Sequence, residues 1–210
     1  IAWERASARK LPTIFFINKL DEEHTSFEQA YEQLRETFGK SVIPFEVPIV
    51  ENGEIIGSVN VLRDKAWYYK GPLADPDKAQ PVPEDMVDAV NGYKDQIAEA
   101  VAMGDDELME KFFSGESFTE AELTRGVRLG VRNGEIRPVF SGSALQSIGI
   151  ERLMDLIIKY FPAYGEGGNY AAYDENGEEI LLETNEKENL SAQVFKTIVD
   201  PFVGRISYVK

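Results

Sequence analysis

The chain is expected to adopt an α/β fold in which a parallel sheet is interrupted by an inserted α+β segment and followed by antiparallel strands. Three features of the sequence point there. Leu11-Pro12-Thr13-Ile14-Phe15-Phe16-Ile17 is continuously apolar over the length of a strand, as expected of one covered on both faces. The order strand, polar loop, amphipathic helix then recurs at Ile136–Phe161. Between the two, 122 residues separate Asp21 from Ser143, where a single crossover needs roughly a dozen.

Ile1–Lys10 reads as the end of a helix ahead of the first strand. Ser26-Phe27-Glu28-Gln29 is a capping box, and Phe27, Ala30, Tyr31, Leu34 and Phe38 recur at helical spacing before Gly39. A second apolar stretch, Val42–Val50, leads through Asn52-Gly53 into Ile55–Leu62, which predicts a hairpin. Gly71–Pro83 is rich in Pro, Asp and Gly and reads as a loop. Helices are expected over Glu84–Met103 and Asp106–Phe113, and a third opens at the capping box Thr119-Glu120-Ala121-Glu122 and closes at Asn133-Gly134. A short strand, Ile136–Phe140, precedes Ser141-Gly142-Ser143-Ala144. The helix Gly149–Phe161 is expected to turn Leu153, Met154, Ile157, Ile158 and Phe161 inward. From Pro162 to Leu190 eight acids face one lysine, a solvated connector with room for a hairpin at Asn176-Gly177. Ser191–Val199 and Arg205–Val209 alternate as strands, and two strands alone do not make a domain, so the chain reads as an excised piece of a longer protein.

With 210 residues, 43% hydrophobic, the chain can bury a substantial core. A net charge of −15 opposes binding to phosphate backbones or anionic lipid, so neither nucleic acid nor membrane is an expected partner. No apolar run approaches the roughly 18 residues of a membrane span. The absence of cysteine removes disulfide and thiolate chemistry, and one histidine leaves no zinc cluster; a cytoplasmic setting fits.

Chemistry concentrates at the ends of the two strands, where α/β folds bind ligands. Asn18-Lys19-Leu20-Asp21 follows the first strand. A carboxylate at Asp21 accepts two parallel hydrogen bonds, matching the adjacent N1 and 2-amino donors of guanine, whereas adenine presents an acceptor at N1 and no 2-amino group. The Lys19 stem can lie along a base with its ammonium in water, and the Asn18 amide can pin the loop. After the second strand, the small residues Gly142, Ser143 and Ala144, with Leu145, let backbone N–H groups approach a ligand. The Ala144 N–H is the expected donor to O6, and the Ser143 hydroxyl is expected to steady Asp21. The bland reading of each loop is a solvent-facing turn.

Ile17-Asn18-Lys19-Leu20-Asp21 and Gly142-Ser143-Ala144 resemble the fourth and fifth motifs of the GTPase fold. Ile56–Leu62, Glu107–Phe112, Phe118–Leu123 and Phe195–Gly204 are similar to segments of the translation elongation factor G family. The resemblance implies a truncated P-loop GTPase-type sheet over residues 1–55 and 127–165, an insert subdomain over 56–126, an acidic connector over 166–188, and the start of a β-barrel domain over 189–210. It further implies a parent that binds GTP or GDP with magnesium and drives ribosomal translocation, with the insert contacting the ribosomal stalk. Asn18, Lys19, Asp21, Ser143, Ala144 and Leu145 would hold the guanine nucleotide. No Gly-x-x-x-x-Gly-Lys-Ser/Thr occurs in the sequence, so the phosphate and magnesium ligands are expected outside it, no catalytic or metal-ligating residue is assigned, and the piece alone is not expected to turn over GTP. Asp174-Glu175-Asn176-Gly177 reads as a turn and His24 as a surface residue. The competing readings are a paralogous GTPase of the peptide-chain release or ribosomal protection type, and a non-catalytic acidic interaction module.

Replacing Asp21 by Asn in the full-length protein exchanges one acceptor for a donor. GDP affinity is expected to fall about a hundredfold and preference to move towards xanthosine diphosphate, as measured by competitive nucleotide binding; an unchanged GDP affinity would remove Asp21 from base reading.

Overall fold

The computed structural model describes residues 2–70, 73–74, 78–163, 166, 170–183, 187 and 190–209. It divides into two compact units, residues 1–162 and 163–210. The first unit runs α1 (Ala2–Ala8), β1 (Phe15–Ile17), α2 (Phe27–Phe38), β2 (Val42–Pro44), β3 (Glu46–Glu51), β4 (Glu54–Asn60), β5 (Lys65–Lys70) and β6 (Leu73–Ala74). It continues with a 3-10 turn at Glu84–Met86, α3 (Val87–Met103), α4 (Asp106–Phe113), α5 (Glu120–Asn133), β7 (Arg137–Ser141) and α6 (Ile150–Tyr160). The second unit holds β8 (Tyr170–Tyr173), β9 (Glu179–Leu182), β10 (Val194–Asp200) and β11 (Gly204–Val209).

A three-stranded sheet in the order β1-β7-β2 carries the parallel pairing, with Ile17 opposite Ser141 on one side and Val42 opposite Arg137 on the other. The strand covered on both faces is β7, where Val139 and Phe140 are buried. Leu11–Ile17 departs from its expectation: only Phe15–Ile17 form a strand, at the sheet edge, with Phe15 and Phe16 half-buried and Leu11 exposed. Pro12 has no N–H to give a ladder, and β1 is paired on one side only. The aromatic excess of this run packs instead against α1 and α2, where the Trp3 ring lies 5.9 Å from Phe15 and 4.6 Å from Phe38. Ser26 caps α2 by accepting the Gln29 N–H at 3.2 Å, and Phe27 and Tyr31 are buried beneath it.

The apolar stretch Val42–Val50 is two strands in two sheets. Phe45, buried, stands between them: its N–H donates to Val139 in the parallel sheet at 3.0 Å, and its carbonyl accepts the Val61 N–H at 3.0 Å. Beyond it β3 and β4 pair antiparallel through Asn52 and Gly53, whose φ values of 52° and 83° suit a tight hairpin turn. That sheet starts at Glu46 and runs on through β5 and β6, strands the hydrophobic pattern did not signal because Arg63-Asp64-Lys65 interrupts it.

Helices α3, α4 and α5 pack beside these sheets and share their core: Ile97, Val101, Leu108 and Val127 belong to the same buried cluster as Ile17, Val42 and Phe140. Two glycines allow α5 to approach closely, since a Cβ on Gly126 would stand 2.3 Å from Val101 and one on Gly130 2.6 Å from Ile136. Gly134, at φ 73°, ends α5 as expected. In α6 the buried side chains are Leu156 and Tyr160, with Leu153 and Phe161 half-buried; Met154, Ile157 and Ile158 are exposed, against expectation. Leu153, Met154, Ile157, Ile158 and Phe161 share one side of the helix, an arc of about 140° at 3.6 residues per turn, but the stripe that faces the core adjoins it: Arg152, Leu156 and Tyr160, four residues apart.

In the second unit β8 and β9 form a hairpin at Asp174–Gly177, where the Asp174 carboxylate accepts the Asn176 and Glu178 N–H groups at 2.8 Å each. Strands β10 and β11 pair antiparallel, and Asp200 caps their turn through Phe202 and Val203. Residues 71–72 and 75–77 of the Pro-rich loop, and 164–165, 167–169, 184–186 and 188–189 of the acidic connector, lie outside the described residues.

At α5 the capping box is complete: Glu122 donates its N–H to Thr119 Oγ1 at 3.3 Å and accepts the Thr119 N–H at 2.7 Å, while Lys111 Nζ lies 2.9 Å from the same carboxylate. The Thr119 N–H first, then Lys111, hold the Glu122 carboxyl down to about 2, below its usual 4.5. Its stabilisation is therefore present above about pH 4.5 and lost as pH falls towards 2. Urea denaturation is expected to show a loss of stability for Glu122→Gln at pH 7 that shrinks as the pH falls below about 4.5.

Candidate functional site

The parallel register that sets Ile17 opposite Ser141 ends both strands at one level, so the loops that follow emerge side by side. Three hydrogen bonds then join them. Gly142 donates its N–H to the Ile17 carbonyl at 3.0 Å and accepts the Leu20 N–H at 3.1 Å, and the Ala144 N–H donates to Asn18 Oδ1 at 2.8 Å. Leu20 is buried and anchors the first loop, leaving Asn18, Lys19 and Asp21 exposed around it. Lys19 takes a left-handed φ of 65°, and its ammonium bonds Glu22 at 2.9 Å, a contact that holds it above the usual lysine range.

The second loop is a tight turn built on Ser143, which is fully buried. Ser143 and Ile148 exchange both backbone hydrogen bonds, at 3.1 and 2.9 Å, and the Ser143 hydroxyl accepts the Gln146 N–H at 3.1 Å. Gly142 is required here, because a Cβ would stand 2.1 Å from the Ile148 carbonyl oxygen. Ala144 and Leu145 are exposed at the tip, the latter 88%.

The structure thus brings Asn18, Lys19 and Asp21 beside Ser143, Ala144 and Leu145, but with two bonds differently spent. The Ser143 hydroxyl is expected on Asp21; it serves its own turn, as serines of tight turns do. The Ala144 N–H is expected to be open; Asn18 holds it. Across residues 142–148 the backbone donor without a partner among the described residues is that of Leu145. His24 is exposed, with φ 63°. Among the described residues no three His, Cys, Asp or Glu side chains are placed to share a metal ion, and no helix is long and apolar enough to cross a membrane. Pattern reading missed Leu20 as an anchor and Gly142 as the joint between loops; the signal for the latter was a glycine one residue past a buried strand.

An α/β body that presents two joined polar loops at the ends of adjacent parallel strands is the architecture of a nucleotide-binding domain. Residues 1–163 match the family described as Elongation factor Tu GTP binding domain, and the chain belongs to that family of translational GTPases. Among relatives, an elongation factor G-like protein of Thermotoga maritima is 38% identical over 99% of this chain and 29% of its own length. Elongation factor G of Mycoplasma pneumoniae is 29% identical over 99% of this chain and 30% of its own. A crystal structure of a protein from Thermus thermophilus superposes with a TM-score of 0.76 and 28% identity, covering 100% of this chain and 28% of that one. The chain spans less than a third of the length of these relatives.

Asn18→Ala removes the acceptor that ties the two loops. The Ala144 amide is expected to exchange its hydrogen about tenfold faster, with exchange in β7 unchanged, as read by amide exchange in nuclear magnetic resonance.

Proposed function

We propose that this chain is the guanine-reading part of a longer, ribosome-associated GTPase resembling elongation factor G. The observation that supports the reading is the lacing of the Asn18–Asp21 loop to the Ser143–Leu145 loop through Gly142 and Asn18. Asp21 then accepts from N1 and the 2-amino group of guanine, and the Lys19 stem lies along the base. O6 is met from the Ala144–Leu145 backbone, by the open Leu145 N–H or by the Ala144 N–H on release from Asn18. Selectivity follows because a carboxylate covered by a base that lacks those donors loses its water without replacement, at a cost comparable to what the bonds contribute.

GTP hydrolysis, translocation and a cytoplasmic setting are proposed for the whole protein. The sequence holds no Gly-x-x-x-x-Gly-Lys-Ser/Thr, so the phosphates, and the magnesium that accompanies them, would be held by residues outside it. We keep the division into a GTPase-type body over 1–55 and 127–165, an insert over 56–126 that meets the ribosomal stalk, a connector over 166–188 and the start of a β-barrel over 189–210.

Calorimetry with GDP tests the reading on this chain and on a longer chain that includes a phosphate-binding loop. Magnesium-sensitive binding by the longer chain, with weak or no binding by this one, is expected. An absence of binding in both would overturn it and leave an acidic interaction module.

A further inference from the structure

Glu46 opens β3 at the one point in an apolar run where a charge occurs, and it is only 2% exposed. Among the described residues neither of its carboxylate oxygens has a well-formed hydrogen bond, the Asn60 amide contributing only a weak one. Facing it from α6 is Arg152, 13% exposed at its side chain, whose Nε stands 3.8 Å from Glu46 Oε1 and likewise has no well-formed hydrogen bond. The Arg152 guanidinium stands over the Trp67 ring of β5, 4.8 Å from its centre, with Nη1 3.8 Å from Asp155. Ion and counter-ion are therefore buried and facing, yet too far apart to bond directly.

Both groups line a pocket, partly open to solvent, with about 60 Å³ of space for water; Asn60, Arg63, Trp67 and Lys159 are among its other walls. One water needs roughly 10 to 15 Å³ of such space and two to four polar partners, so the cavity is large and polar enough to hold several. Leaving a carboxylate and a guanidinium nitrogen buried and dry is among the costliest arrangements a fold can contain.

We infer that this cavity is a hydrated junction, in which ordered water bridges the Glu46 carboxyl group and the Arg152 guanidinium, and that the charge on Glu46 sets how firmly the antiparallel sheet holds α6. The groups that face Glu46 are Asn60 and Arg63 from β4 and the turn after it, Tyr69 from β5, and Arg152, Asp155 and Lys159 from α6. Asn60 has its side-chain carbonyl committed to the Arg63 N–H at 2.9 Å. Burial pushes the Glu46 carboxyl up to about 7, with Arg152, then the Asn60 amide and Arg63, pulling the other way. The folded chain thus binds more protons than the unfolded one between about pH 4.5 and pH 7, and its stability falls as pH rises through that window. Helix α6 begins at Ile150, directly after the loop that Ser143 and Ile148 close, so a change in its anchoring reaches the candidate site.

The test uses the 210-residue chain with glutamate labelled at its carboxyl carbon. Assigned through its bonds, the Glu46 resonance is expected to titrate near pH 7, and a water contact to appear at the Arg152 Nε proton. Amide protection in α6 and in residues 143–148 is expected to drop about tenfold between about pH 6 and pH 8 in the wild type, and to stay level in Glu46→Gln. Titration of Glu46 in the ordinary carboxylate range would overturn the inference, as would a dry Arg152 or an α6 whose protection drops equally in both proteins. The titration and the water contact are read on the wild type, so they decide the matter even if the variant fails to fold.

Discussion

Strand β7 is the constraint on which the rest depends. It is paired in parallel on both sides, by β1 and by β2, and its central residues are buried. Buried backbone groups must all find partners, so a slip of one residue would reverse every side chain on the strand and leave ladder groups unpaired. The same register brings Ile17 level with Ser141 and places Gly142 where its N–H and carbonyl can each serve the opposing loop. Loop placement is a consequence of core packing: the exposed residues of the candidate site sit where buried residues elsewhere put them.

The residues between β2 and β7 share the core of the parallel sheet. Phe45 gives one backbone bond to each sheet, and Val61, Ile97, Val101, Leu108 and Val127 are continuous with the cluster that holds Val42, Ile43 and Phe140. The antiparallel sheet is approached by Val90 of α3 on one face and by Arg152 of α6 on the other. That explains why Glu46, Ser58 and Trp67, polar or amphipathic residues on the second face, are buried. Close-packed interiors transmit displacement, so whatever bears on the inserted helices is felt at β7 and α6.

Much of this was legible in the sequence, for identifiable reasons. Caps are local chemistry, and Ser26, Thr119 and Gly134 mark helix ends in the structure as they do in the sequence. The Asn-Gly turns at 52–53 and 176–177 likewise depend on only two residues. The failures were of tertiary origin. Val42–Val50 looks like one strand because hydrophobicity does not record a change of sheet at Phe45. The apolar side chains of α6 look equivalent in periodicity, although the neighbours of Arg152 decide which of them are covered. At the candidate site the proximity of the two loops followed from their positions after strands, but hydrogen-bond partners did not. Asn18 reaches across to the Ala144 N–H of the other loop, and Ser143 accepts from Gln146 within its own turn, a matter of atomic placement that no spacing encodes.

The charge of the chain bears on how its loops can work. At −15 overall, and with Asp21, Glu22 and Glu23 beside the candidate base site, the body repels the phosphates that every nucleotide carries. Lys19, the cation nearest to hand, is already committed to Glu22. On the proposed reading, the loops therefore contribute discrimination among bases while binding strength must come from groups that neutralise phosphate. Such a division has a physical advantage. Base contacts made by a rigid, laced pair of loops change little as the phosphate end rearranges, so identity of the base and state of the phosphates can be read independently. On that reading, the backbone bonds of Gly142 to Ile17 and Leu20 hold the two loops together while the base is read.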